Sequence, residues 1–304
     1  MTTDGSPGLN SREAFSPSRL NKAERRSLLA RSNGRGAAHF AVHAGLIAGL
    51  GWCILAKVAY WQVLLLPQGI VLIFLFAPLH ECIHRTAFRS RWCNDVVAAL
   101  CGWLLLLPPA WFRHFHLNHH RFTSDPARDP ELVVAKPRNR AVYLIHLTGL
   151  AVWGAQLQVL LGSTHGRAED EFIPQKARNR VALEARWFLA LYIIAFAAMG
   201  EQLLWLWVVP ALLGQPVLRA FLLAEHMDCP ESTDMLANSR TTLTTAALRF
   251  VTWNMSYHAE HHAHASVPFH ALPALSRRMV ASRQVVSPGY AEFHGREAPA
   301  LIRN

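Results

Sequence analysis

Apolar residues in this 304-residue chain come in long blocks rather than in alternation. One block covers about 38–57 and a second about 61–80, the latter containing Pro67 and Gly69. Each approaches the roughly 20 residues that a helix needs to cross a bilayer. Lys57 and Tyr60-Trp61 mark a short turn between them. The block 96–111 ends in Pro108-Pro109 and is short for a crossing, so it is read as a re-entrant or cap helix. The run 141–161 carries His146, Gln156 and Gln158 and fits either a span or an interfacial helix. Residues 163–186 are charged with mixed signs and suit a linker. Positions 187–223 are mostly apolar, broken near Gly200-Glu201, and long enough for a helical hairpin. The pattern predicts an all-α, multi-pass membrane bundle of about four spans with a helical cap.

Composition agrees with that reading. Hydrophobic residues make up 52% of the chain and charged residues 16%, below the roughly 25% of a soluble protein. Ten tryptophans suit membrane interfaces. The net charge of +10 suggests nucleic acid less than it suggests cytoplasmic flanks beside apolar spans. Three regions follow: a polar segment 1–36, expected to be disordered, a membrane domain 37–285 and a polar tail 286–304. The first region lacks the apolar core of a signal peptide. Its basic residues, Arg12, Arg19, Lys22, Arg25, Arg26, Arg31 and Arg35, are expected to hold the N-terminus in the cytoplasm. The five cysteines are scattered, with no C-x-x-C pair, so neither a disulfide framework nor a zinc ribbon is indicated.

The chemistry lies in the histidines. Eight of seventeen fall into three boxes: His80 and His84; His116, His119 and His120; His258, His261 and His262. On a helix, spacings of three and four bring side chains to one face. Neutral imidazole is a common transition-metal ligand, and eight exceed one tetrahedral site. Two metal ions in a shared cage are predicted. The boxes must then lie on one side of the membrane, which four spans and a cap achieve. His226, emerging on that side from the last apolar run, is a ninth candidate. Cys82 points off the His80/His84 face. Asp125 and Asp129, each before a proline, fit either turn caps or carboxylates that orient ligand imidazoles. Glu225 and Asn254 are further candidates for that orienting role. Taken alone, His80-Glu81-x-x-His84 also fits an intramembrane zinc protease with Glu81 as general base. Such a site has no use for six more histidines. A non-catalytic metal carrier is a third reading. Nitrogen-only ligation at a membrane favours iron, because zinc has no redox role.

The order H-x-x-x-H, H-x-x-H-H, H-x-x-H-H resembles the membrane-bound fatty acid desaturase and hydroxylase superfamily over about 40–280. His84-Arg85-Thr86-Ala87-Phe88, Asn118-His119-His120-Arg121-Phe122-Thr123, Ala224-Glu225-His226 and Trp253-Asn254 strengthen the likeness. The resemblance implies two iron ions on the cytosolic side, O2 as co-substrate and an acyl chain of a fatty acid or lipid as substrate. It implies His80, His84, His116, His119, His120, His258, His261 and His262 as ligands, with His226 as the extra histidine of some members. Where some members place an asparagine one turn earlier, this chain has Leu222. It carries no H-P-G-G haem motif and no ferredoxin cysteine pattern, so a separate ferredoxin- or cytochrome-type donor is expected. Oxygenases of carotenoids or other hydrophobic substrates share the chemistry.

Overall fold

The structure, a computed structural model, describes residues 21–133, 136–165 and 170–298. Residues 1–20 of the expected disordered segment lie outside these. In the remainder of that segment, 22–28 and 33–36 are helical. Asn21 and Glu24 form a reciprocal capping box that starts α1 (Lys22–Leu28), and Ser32 caps α2 (Asn33–Leu55). Local capping chemistry thus outweighs polar composition.

Lys57 and Tyr60 take left-handed backbone conformations and turn the chain after α2. A 3-10 turn over Trp61–Leu64 leads into α3 (Leu65–Ile73) and then α4 (Phe76–His84). Pro67 and Pro78 both sit in first turns, where a missing N–H breaks no helix bond. The next pair, α5 (Arg91–Leu104) and α6 (Pro109–Phe122), is bent by 99°. Pro109 opens α6 at its first position, the place where proline fits a helix. The open run 141–161 becomes α7 (Arg140–Thr148) and α8 (Leu150–Thr164), bent by 51°. Gly149 at φ +69 makes that bend, and a Cβ there would strike the Gln215 side chain.

The hairpin is α9 (Gln175–Met199), then α10 (Glu201–Leu203), a π turn over Leu204–Val208, and α11 (Val209–His226). Gly200 at φ +51 separates its two arms. Among the described residues, four helical stretches are long and apolar enough to cross a membrane: 22–55, 61–84, 175–199 and 201–226. Trp52, Val63, Trp187, Ile193 and Ile194 on them are exposed, as lipid-facing side chains are. α3 and α11 touch backbone to backbone, because a Cβ on Gly69 would overlap the Pro210 carbonyl and one on Gly214 the Gly69 carbonyl.

The cap contains α12 (Ala246–Val251), α13 (His258–Ala263), α14 (Leu272–Arg278) and α15 (Tyr290–Glu292). β1 (Thr241–Thr242) pairs in parallel with β2 (Val286–Ser287). The tail from 286 is therefore folded back, at least to residue 298. Phe293 anchors it in a buried cluster with Leu223, Ala224 and Met227. The main core joins α3 and α4 (Phe74, Leu79) to α11 (Phe221) and the cap (Trp253, Phe269, Leu272, Met279). It clamps the membrane helices to the elements that carry the histidines.

Candidate metal centre

The cage is built from helix ends. α4 brings His80 and His84 one turn apart, α6 brings His116, His119 and His120, α11 ends on His226, and α13 carries His258, His261 and His262. All nine histidines singled out from the sequence meet. Ligating atoms of His80, His84, His116, His120 and His261 lie within 4.8 Å of one another, and those of His119, His226 and His262 form a second such group. His258 adjoins the second, its Nε2 2.9 Å from that of His226. The His120 and His262 rings stack at 4.1 Å and join the two groups.

The spacing fits metal ligation. Two imidazole nitrogens about 2.1 Å from one ion and at right angles lie about 3.0 Å apart. His116 and His120 approach at 2.9 Å through Nε2, and His120 and His261 at 3.2 Å. Both ring nitrogens of His80, Nε2 of His84 and Nε2 of His262 are buried without a hydrogen-bond partner. Buried polar atoms rarely stay unsatisfied unless they serve an ion or a reaction.

Nitrogens pointing out of the second group are held by the protein. Asp129 accepts from His119 Nδ1–H at 2.9 Å, and the Asn238 carbonyl accepts from His226 Nδ1–H at 2.9 Å. The Thr123 hydroxyl meets His262 Nδ1 at 3.3 Å. Glu225 Oε1 lies 3.3 Å from His258 Nδ1, at an angle too poor for a hydrogen bond. A donor at Nδ1 fixes the tautomer that leaves Nε2 free for metal. Burial first, then the neighbouring imidazoles, pulls His116, His120, His258, His261 and His262 well below the ordinary histidine pKa. They are neutral at pH 7, the form that binds metal. His119 is the exception. Burial pulls its pKa down, but Glu131 at 3.6 Å and the Asp129 carboxylate together raise it.

A family model described as fatty acid desaturase matches residues 55–293. The chain belongs to the fatty acid desaturase family. Similar proteins include a fatty acid conjugase of Calendula officinalis, 32% identical over 108 residues, which are 36% of this chain and 28% of the conjugase. An sn-1 oleoyl-lipid 12-desaturase of a Picosynechococcus strain is 30% identical over 198 residues, 59% of this chain and 55% of that protein. A sphingolipid delta(4)-desaturase/C4-monooxygenase of Rattus norvegicus is 26% identical over 250 residues, 78% of this chain and 68% of that one. The matches thus span about a quarter of the conjugase and about half of the Picosynechococcus desaturase.

Within this family member the carboxylates divide by role. Asp129 and Glu225 reach box histidines. Asp125 does not: it pairs with the Arg128 guanidinium and accepts from Ala127 N–H, which is turn-capping work. Asn254 donates to the Phe269 carbonyl instead of to an imidazole. Glu81 is fully buried, and its Oε2 accepts from the Thr86 hydroxyl and from Phe269 N–H. It holds the back of α4 and does not face the histidines, unlike a protease base. Glu260 does the same for α13, accepting from Thr241, Ser276 and Arg283. Sequence reasoning missed Asn238, Thr123 and Glu131. Asn238 acts through its carbonyl and leaves no residue signature, whereas Thr123 was visible directly after the second box. Cys82 points off the histidine face and lines a cavity behind α4.

Proposed function

We propose that this chain is a membrane-bound di-iron oxidoreductase that uses O2 and electrons from a separate ferredoxin- or cytochrome-type protein to desaturate the acyl chain of a fatty acid or lipid. The observation that carries the reading is the division of the histidines into two adjoining groups, the second of which has outward nitrogens of His119, His226 and His262 met by Asp129, the Asn238 carbonyl and Thr123. His80, His84, His116, His120 and His261 would hold one iron, and His119, His226, His258 and His262 the other. Iron held there would supply the redox chemistry needed to activate O2 and break an unactivated C–H bond. The protein keeps His116, His120, His258, His261 and His262 neutral at pH 7, aims all nine imidazoles at one another, and encloses them in a largely buried pocket that limits access of bulk water. Basic residues near the N-terminus, Arg25, Arg26, Arg31 and Arg35, support placing that end and the cage on the cytoplasmic side.

Hydroxylation is the second reading, because the name of the rat relative carries both desaturase and monooxygenase. The test joins metal analysis of the purified chain with lipid mass spectrometry of cells that express it. Two irons per chain and a lipid lighter by two hydrogens are expected. A lipid heavier by one oxygen supports hydroxylation. One zinc per chain, with no altered lipid, overturns the proposal.

A further inference from the structure

A cavity of about 270 Å³ lies behind the first box, between α4, α5, α6 and the start of α9. Four cations line it: Arg85, Arg113, Lys176 and Arg180. Among the described residues the lining carboxylates are Asp95 and Glu184, which leaves two formal positive charges (four minus two). Glu184 is already engaged, accepting from the Ala110 N–H at 2.6 Å. Arg85 and Arg113 are half-buried, whereas Lys176 and Arg180 are exposed at the rim. Nη1 of Arg113 is buried with no partner. Burial, then the nearby Arg85, pulls Arg113 below the ordinary arginine pKa; Asp95 opposes this, and Arg180 adds to it.

Cations beside a membrane span need only face water to orient it. A half-buried guanidinium with an unsatisfied nitrogen, crowded by two others, costs stability that orientation does not require. Arginine offers a planar fork of donors suited to phosphate and carboxylate oxygens. The cavity also opens beside the N-terminus of α9, whose partial positive charge favours an anion. Ligand clefts run from about 300 Å³ upward, so this space suits a head group, not a whole lipid. Arg113 stands on the face of α6 that carries His116 and His120, which puts the cavity next to the cage.

We propose that this cavity binds the phosphate group of the lipid substrate, with Arg113 as its floor and Arg180 at its rim. The substrate role rests on the desaturase reading; the anion site itself does not. The test uses the full chain in a phosphate-free maltoside detergent, with oleoyl glycerol phosphate, uncharged oleoyl glycerol and inorganic phosphate as probes. The phosphate lipid should bind about tenfold or more tighter than the uncharged one, as expected for charged hydrogen bonds. Arg113→Gln and Arg180→Gln should each remove most of that preference, and Arg180→Lys should restore part of it. Arg121→Gln, an exposed cation outside the cavity, should change nothing. If Arg113→Gln fails to fold, the exposed Arg180 carries the test alone.

Weaker binding of inorganic phosphate, lost in the same variants, supports a lipid source. Inorganic phosphate that binds as tightly as the phosphate lipid overturns the lipid assignment in favour of a soluble anion. Equal binding of charged and uncharged lipids, or equal losses in Arg180→Gln and Arg121→Gln, overturns the site. Because no turnover is read, selective binding without any oxidised lipid would count against the desaturase reading and leave the anion site standing.

Discussion

Asp129→Asn and Asp129→Ala perturb the second histidine group without touching a proposed ligand. The Asp129 side chain is 2% exposed. Its Oδ1 accepts from His119 Nδ1 at 2.9 Å and from Glu131 N–H at 3.0 Å, and its Oδ2 accepts from Ser124 N–H at 2.9 Å. Loss of a partner behind a metal-bound histidine typically lowers metal affinity 10- to 100-fold, about 1.4–2.7 kcal/mol. Alanine additionally leaves two backbone N–H groups short of an acceptor, at about 1–3 kcal/mol for each one that stays buried. Asparagine keeps the shape and one acceptor oxygen but removes the charge; with that oxygen on His119 and Glu131, only the Ser124 N–H loses its acceptor, so it is the milder of the two tests. His119 belongs to the group with His226 and His262 and not to the five-histidine group. The expected result is selective loss: under a graded chelator challenge, Asp129→Asn should fall from two irons per chain toward one, with a plateau. Iron analysis after gel filtration reads this directly. Simultaneous loss of both irons, or chelator resistance equal to the unaltered protein, refutes the two-group division.

Glu260→Ala strands Arg283 beside a buried gap and should lower stability by about 3–5 kcal/mol, read as a large drop in Tm; an unchanged Tm rejects the clamp. Gly69→Ala forces a methyl into the Pro210 carbonyl and should lower stability by about 1–3 kcal/mol. Gly154→Ala in α8, with nothing within 4 Å, should be neutral or stabilising by up to about 1 kcal/mol. Equal effects at the two glycines would contradict the close packing of α3 on α11. The metal-stripped protein should lose stability on acidification. His116, His120, His258, His261 and His262 have folded pKa values below the unfolded 6.5, so the unfolded chain binds more protons between those values. Their contribution is intact above pH 6.5 and is lost as pH falls toward the folded values. His119 has the opposite sign, its contribution being complete below 6.5 and lost as pH rises through its raised value. Five against one gives a Tm that falls below pH 6.5, and a Tm that rises there would reverse the assignment.

The long elements were legible because their signal is local. Twenty apolar residues define a span wherever they occur, and Gly200 marks the hairpin break by its own backbone freedom. The grouping of the boxes was legible because a spacing of three or four fixes a helix face. What stayed hidden depends on partners far along the chain. Nothing in 141–161 announces that Gly149 bends it against Gln215. Asp125 and Asp129 look alike in T-S-D-P-A-R-D-P, yet only Asp129 points inward. The difference lies in the turn, where Ser124 at φ +66 donates its N–H to Asp129, while Arg128 draws Asp125 toward solvent. The tail from 286 read as polar because the aromatic residues that anchor it, Tyr290 on Phe221 and Phe293 in its buried cluster, are two among many.

The acidic residues inside the boxes explain how such short helices can hold a rigid cage. α13 has only six residues, fewer than an isolated helix needs for stability. Its three histidines take one face, so Glu260 necessarily falls on another. There its carboxylate gathers Thr241 from β1, Ser276 from α14 and Arg283 from the following turn. Glu81 plays the same part in α4, tying it to Thr86 and to Phe269 beyond the third box. Each of these ligand helices is therefore fixed from behind by a buried carboxylate whose partners lie outside the helix. The imidazoles in front need make no packing contribution of their own, and they can stay neutral, aimed and free for metal.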